Sequence, residues 1–289
     1  MEKEIIINKE FIWNEDRFRI LSLKNTNGKA VVQICKQAEK DQLLAAYEKE
    51  REYGLPYMAM AGELTDLQLE IRASVSPLSD NFRGAFLAGD QVYEARFFGT
   101  DYWDPVIVCR EPKWQEYQEK LKKDLAFYGL DSSCGWLFIS FACEALSLEE
   151  LRTSRLSLSA GKVVIPGETF AVNGPGEEFC FVHPLRNTRH TLKVLQYEKT
   201  RLSHEADKHQ YPPYCVMMEY TVAPKLDQEA FDIRDCGDGD GPKPSLLFYR
   251  DTQEGRVAVS SMYEKPAGDI TWRMLFYEKT KEDITIALT

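Results

Sequence analysis

Alternation of apolar with polar side chains, repeated along the chain after residue 135, restricts the fold more than any other feature of this sequence. Val216, Met218, Tyr220 and Val222 share one parity between Tyr214 and Pro224, and so do Ile270, Trp272, Met274 and Phe276, and Ile284, Ile286 and Leu288. Successive side chains of an extended chain point to opposite faces, so a period of two buries one face of a strand and leaves the other wet. His190–Val194 and Phe231–Ile233 are shorter examples, and clusters such as Asn173-Gly174-Pro175-Gly176 and Gly237–Pro244 separate the runs. Nine of the 13 prolines lie beyond residue 135, and the one helical signal there is the capping-box pattern Ser147-Leu148-Glu149-Glu150. The pattern predicts an all-β antiparallel domain of sandwich type over 135–289; a closed barrel shares the same periodicity.

The first 131 residues read as an α+β domain built from hairpins and two helices. Arg17–Leu23 and Ala30–Ile34 flank Asn27-Gly28, a pair suited to a tight hairpin turn. Gln37–Tyr53 is rich in Ala, Leu, Glu, Lys and Gln and stops at Gly54 and Pro56, which predicts a helix. A second hairpin is expected at Gly84–Leu87 and Gln91–Phe98, turning at Gly89-Asp90, with Phe97–Pro105 as a loop and Val106–Val108 as a short buried run. From Pro112 onward, Trp114, Tyr117, Leu121, Leu125 and Tyr128 recur at helical spacing until Gly129. The stretch 130–135 is the expected domain boundary.

Charge and cysteine usage narrow the partners. The chain has 36 basic and 46 acidic residues and a net charge of −10, which disfavours phosphate backbones and anionic membranes, so neither nucleic acid nor membrane is expected as a partner. The longest apolar run, Trp136–Cys143, is much shorter than the roughly 20 residues of a membrane helix. No leader-like segment opens the sequence, and the seven cysteines include no C-x-x-C pair, so a cytoplasmic location with small buried thiols is expected.

The stretch His183-Pro184-Leu185-Arg186-Asn187-Thr188-Arg189-His190-Thr191-Leu192-Lys193-Val194-Leu195-Gln196-Tyr197-Glu198 resembles a segment of an uncharacterised family of Gram-positive bacterial proteins. Trp272–Lys279 with Glu282-Asp283-Ile284 is similar to the C-terminal end of that family. The resemblance covers about the last hundred residues. It implies a bacterial origin and a recurring domain, and it brings no activity and no catalytic residue with it.

Three groups of residues invite a chemical reading. His183, His190, His204 and His209 fall within 27 residues and suggest a metal site, the basis for an alternative reading as a metal-dependent hydrolase. His204 and His209 are five apart, about 140° around a helix, where the metalloprotease motif needs four; surface or strand-end histidines are the simpler expectation. Asp235–Gly241 imitates part of a calcium loop but would set Cys236 and Leu247 at ligand positions, which a hard cation rejects. Asp101, Tyr102, Trp103 and Asp104 combine aromatics with carboxylates, as a saccharide or nucleotide binder would, although Trp103 and Tyr102 folding back onto the core, with Asp101 and Asp104 making turn hydrogen bonds, is the plainer reading. Glycine-rich phosphate motifs and a nucleophile elbow are absent from the sequence, so no cofactor is expected. The expectation is a non-catalytic binding or assembly protein with a protein or small-molecule partner.

Overall fold

The computed structural model describes residues 4–56, 64–79, 81–107, 112–201, 212–227, 229–236, 255–265, 268–279 and 281–289, and side chains within the helix that starts at Pro112 from residue 115 onward. The chain forms two compact units: Met1–Met58 with Val75–Lys162 and Lys279–Thr289, and Ala59–Ser74 with Val163–Glu278. The secondary structure is mostly strand, and every strand pairing is antiparallel.

The first unit is a single eight-stranded sheet in the order β1-β2-β3-β6-β5-β4-β7-β15. Its strands are β1 (Glu4–Trp13), β2 (Asp16–Thr26), β3 (Lys29–Ala38), β4 (Phe82–Ala88), β5 (Gln91–Trp103), β6 (Gly135–Cys143), β7 (Arg155–Ala160) and β15 (Ile284–Ala287). Asn27 and Gly28 both take positive φ, 52° and 79°, as a two-residue turn between twisted strands requires. The sheet curls until its two edge strands approach: Lys9 Nζ on β1 donates to the carbonyls of Ala287 at 2.9 Å and Thr289 at 3.2 Å. The result is a nearly closed, barrel-like sheet whose interior is filled by Phe18, Ile34, Phe86, Ile139, Phe141 and Leu156 among others.

Strand β6 shows why Trp136–Cys143 is apolar without a break. Leu137, Ile139, Phe141 and Cys143 point into the barrel, while Trp136 and Phe138 point outward into a second cluster. Helix α3 (Pro112–Tyr128) supplies the other side of that cluster through Tyr117, Leu121, Leu125 and Tyr128, the predicted apolar stripe, and Gly129 follows it at φ 63°. A strand covered on both faces reads as a continuous hydrophobic run rather than an alternating one. Helix α1 (Lys40–Glu52) lies close against the start of β6 at Gly135: a Cβ there would stand 2.8 Å from Leu43 Cδ1, so the Leu43 side chain would have to shift. Helix α4 (Leu148–Thr153) has the predicted capping box, with Glu150 N donating to Ser147 Oγ and Ser147 N to Glu150 Oε2.

The second unit has two sheets, β13-β11-β10-β9 and β12-β14-β8. These strands are β8 (Val163–Ala171), β9 (Glu178–Val182), β10 (Arg189–Arg201), β11 (Tyr214–Ala223), β12 (Phe231–Asp235), β13 (Arg256–Met262) and β14 (Thr271–Glu278). One core joins them: Phe181, Leu192, Val194, Val216, Met218 and Tyr220 from the first sheet meet Phe231, Ile233, Trp272, Met274 and Phe276 from the second. Along one side Arg256 of β13 donates to the carbonyls of Leu226 and Phe231, and Ser260 bonds Asp235 of β12. Helix α2 (Asp66–Val75) is held by Glu70, whose carboxylate accepts from Arg234 at 2.7 Å and Tyr277 at 3.3 Å.

Several expectations need correction. The compact units do not divide at 130–135, because β6 is hydrogen-bonded on both edges within the first sheet. The terminal run Ile284–Leu288 is a strand as predicted, yet it belongs to the first unit, paired with β7. The expected helix start at Gln37 is still β3, and the expected loop Phe97–Pro105 is strand as far as Trp103. Helix α2 has no counterpart among the sequence expectations. Val108 and the whole of the Gly237–Pro244 turn lie outside the described residues.

Among the described residues of the first unit Lys36, Glu50 and Asp104 are buried, and Lys36 is the one that enters the barrel. Lys36 is 4% exposed and points into the barrel beside Phe18, with its Nζ 3.0 Å from Asp16 Oδ2. Asp16 also bonds Lys281, so two ammonium groups share one carboxylate. Burial pulls the Lys36 amine below the ordinary lysine range, Asp16 opposes that shift and Lys281 reinforces it. Asp16→Ala strands a buried ammonium and is expected to cost about 3–5 kcal/mol in urea unfolding. Lys36→Met leaves Asp16 paired with Lys281 and is expected to cost less than about 1 kcal/mol or to stabilise. Equal losses from the two changes would refute this account.

Candidate functional site

Strand β5 changes partner halfway along its length, and that places the groups singled out in 101–104. Gln91–Ala95 pair with β4, whereas Arg96–Trp103 pair with β6. A register shift between Phe97 and Gly99 marks the change and leaves Phe98 as the extra residue of a bulge. Among the described residues, the edge of Arg96–Trp103 that faces away from β6 carries no strand. That half of β5 is also rich in exposed aromatics: Phe97 is 53%, Phe98 44% and Tyr102 51% exposed. Phe97 lies edge-on to the interior ring of Phe141, centroids 6.5 Å apart, so it ties this surface to the barrel core.

Adjacent strand residues face opposite ways, and this separates the predicted pair Tyr102 and Trp103. Trp103 is buried beneath α3, its Nε1 donates to the carbonyl of Ser132 at 2.9 Å, and Lys122 lies over its ring. The two rings therefore form no common stacking platform, which removes the motive for a saccharide or nucleotide site built on them. Asp101, on the outer face with Trp103, accepts from Tyr117 of α3 at 2.7 Å. Asp104 is buried and accepts from Tyr47 of α1 and from Val106 N at 2.8 Å. Burial first, and then the Asp104 carboxylate, push the Tyr47 phenol above the ordinary tyrosine range; Asp101 acts in the same way on Tyr117. Both carboxylates thus anchor helices to the end of β5.

His183 and His190 are brought together, with ring centroids 6.4 Å apart, but not at a surface. Both lie at strand ends, one of the two expected placements, but both are buried rather than at the surface. His183 begins the turn between β9 and β10. Its Nδ1 accepts from Leu185 N at 3.3 Å and Arg186 N at 3.2 Å, and its Nε2 lies 3.3 Å from Glu278 Oε1. His190 Nδ1 faces the carbonyl of Pro224 at 2.9 Å, so this nitrogen carries the proton, and Nε2 accepts from Thr188 Oγ1 at 2.8 Å. The inward parity of β10 and stacking against Phe181 explain the burial. Three of the four ring nitrogens are hydrogen-bonded within the protein, and the fourth, His183 Nε2, is buried beside Glu278 without a hydrogen bond. Among the described residues no group of three or more His, Cys, Asp and Glu is placed to hold a metal. His204 and His209 lie outside the described residues, as do Asp238 and Asp240 of the acidic loop.

Sequence reasoning named Phe97 and Phe98 with this stretch but missed Tyr47 and Tyr117, the hydrogen-bond partners of Asp104 and Asp101, because both lie far away along the chain. Among the described residues no helix is long and apolar enough to cross a membrane. No protein-family model matches this chain, and neither a curated protein nor a solved structure matches it significantly.

Tyr47→Phe removes the hydroxyl that donates to the buried Asp104 carboxylate. The expected loss is about 1.5–3 kcal/mol, the range for a hydrogen bond to a charged group, read from the urea midpoint at constant slope. A loss below about 0.5 kcal/mol would show that Asp104 does not depend on α1.

Proposed function

We propose that this chain is a non-catalytic binding or assembly protein that takes an extended segment of a partner protein along the second half of β5. The single observation behind the reading is the edge of Arg96–Thr100 facing away from β6, with Phe97 and Phe98 exposed beside it. Edge strands in soluble proteins are commonly blunted by charge, proline or short length, because backbone groups at an edge template a further strand. Here that edge carries two exposed aromatics, and strand addition joins main-chain hydrogen bonds to pockets for alternate side chains. The internal bonding of Asp101, Asp104, His183 and His190 supports a structural rather than a catalytic role for the groups that looked chemical.

In this reading the Val163–Glu278 unit is a β-sandwich and the two units act as separate domains. The likeness of 183–198 and 272–284 to Gram-positive proteins favours a bacterial origin. The free thiols of Cys35, Cys134, Cys143, Cys180 and Cys215 favour a cytoplasmic one.

Selection of a random-peptide library on the intact protein tests the function. The native chain is expected to enrich extended, alternately apolar peptides that protect the amides of 97–100 from exchange. Phe98→Lys should weaken them at least tenfold while changing stability by no more than about 0.5 kcal/mol. Absence of enrichment, or protection confined to other strands, would overturn the reading.

A further inference from the structure

The β9–β10 hairpin turns through 183–188 around a histidine rather than around a glycine or aspartate. His183 N donates to Thr188 O at 2.8 Å and Asn187 N to His183 O at 3.0 Å, with Asn187 at φ 52°. The side chain then closes the turn from within, since Nδ1 accepts the amides of Leu185 and Arg186. This is the geometry of an Asx turn with an imidazole nitrogen in place of the carboxamide oxygen. Only the neutral Nε2–H tautomer allows it, because Nδ1 must present a lone pair.

We propose that the 183–188 turn is a pH-sensitive latch on this unit, closed while His183 is neutral and released when its Nδ1 takes a proton. A proton on Nδ1 turns an acceptor into a donor that faces two further donors, the amides of Leu185 and Arg186. The ring and the turn then no longer fit together, and one must swing away. The ring has no slack where it stands: it is 1% exposed and lies edge-on to Phe276 of β14, centroids 4.8 Å apart.

The surrounding charges divide on the outcome. From its own turn Arg186 opposes a positive ring, and from β10 His190 does the same; from β14 Glu278 favours it. Glu278 is partly committed elsewhere, because Arg186 donates to the same Oε1 at 2.6 Å. Burial is the largest influence, and the net effect is a His183 held below the ordinary 6.5. The folded state therefore binds this proton less readily than the unfolded chain. The stability contributed by the closed turn is complete above 6.5 and is lost as pH falls through the lower folded value. The latch also joins the two sheets, since His183 and Arg186 belong to the β9–β10 hairpin and Glu278 to β14. Release frees the exposed side chains of Val182 and Leu185 to move with the turn.

Ring-nitrogen NMR and amide exchange on the intact chain, followed from pH 7.5 to pH 5, test the proposal. At neutral pH His183 should show the Nε2–H tautomer. Protection of the Leu185 and Arg186 amides should be constant above the titration and then fall about tenfold per pH unit, while β11 amides hold. His183→Asn places Oδ1 where Nδ1 stood and keeps an acceptor for both amides without a titrating group, so protection there should be independent of pH. A His183 that becomes protonated with both amides still protected overturns the latch, a result that needs no variant. PH-dependent protection that persists in a folded His183→Asn protein overturns it equally.

Discussion

The two-sided burial of β6 is the constraint on which the first unit depends. A strand hydrogen-bonded to β3 and β5 along its edges and covered by the barrel interior on one face and α3 on the other is buried at every residue except the half-buried Ser140. Its apolar residues each contribute on the order of 1.5–3 kcal/mol by full burial, and few surface interactions approach that figure. It also fixes the topology: hairpins β1–β2–β3 and β4–β5 are local, and β6 is the element that joins them into one sheet. Helix α3 is positioned by the same strand, because Trp136 and Phe138 form half of the cluster it packs on.

The second unit is organised differently. Its two sheets share one core, and polar clasps hold the margins: Arg256 on the carbonyls of Leu226 and Phe231, Arg234 on Glu70, and Arg186 with His183 on Glu278. Half-exposed ion pairs such as Arg234–Glu70 contribute little stability by themselves, so their effect is to set register and hold a segment in place. The His183 turn differs because its hydrogen bonds are buried and depend on one protonation state. That places a titratable group inside an otherwise apolar joint between sheets.

Candidate chemistry in this chain turned out to be architecture. Asp101 and Asp104 were conspicuous in the sequence because aromatics beside carboxylates suit a saccharide or nucleotide, and the partners they bond instead, Tyr117 and Tyr47, lie 16 and 57 residues away. His183 and His190 looked like surface ligands because each is flanked by turn-forming and charged residues. Their burial follows from pairing of β9 with β10, which no local pattern reports. Phe97 and Phe98 fall in the expected hairpin strand, and the bulge at Phe98 hides the continuation of that strand to Trp103.

Sequence alone determined the local elements. The alternating runs are β11, β14 and β15, the stripe from Tyr117 to Tyr128 is α3, and Ser147 to Glu150 caps α4, because periodicity and capping are properties of a few consecutive residues. Tertiary structure decided which strands are neighbours. β15 joins β7, not the strands that precede it, and β6 belongs with the N-terminal hairpins, because pairing depends on matching edges and on total burial across the whole chain rather than on adjacency. It also decided that two histidines would be internal and one edge of β5 external, since burial is a property of what packs on a residue and not of the residue itself.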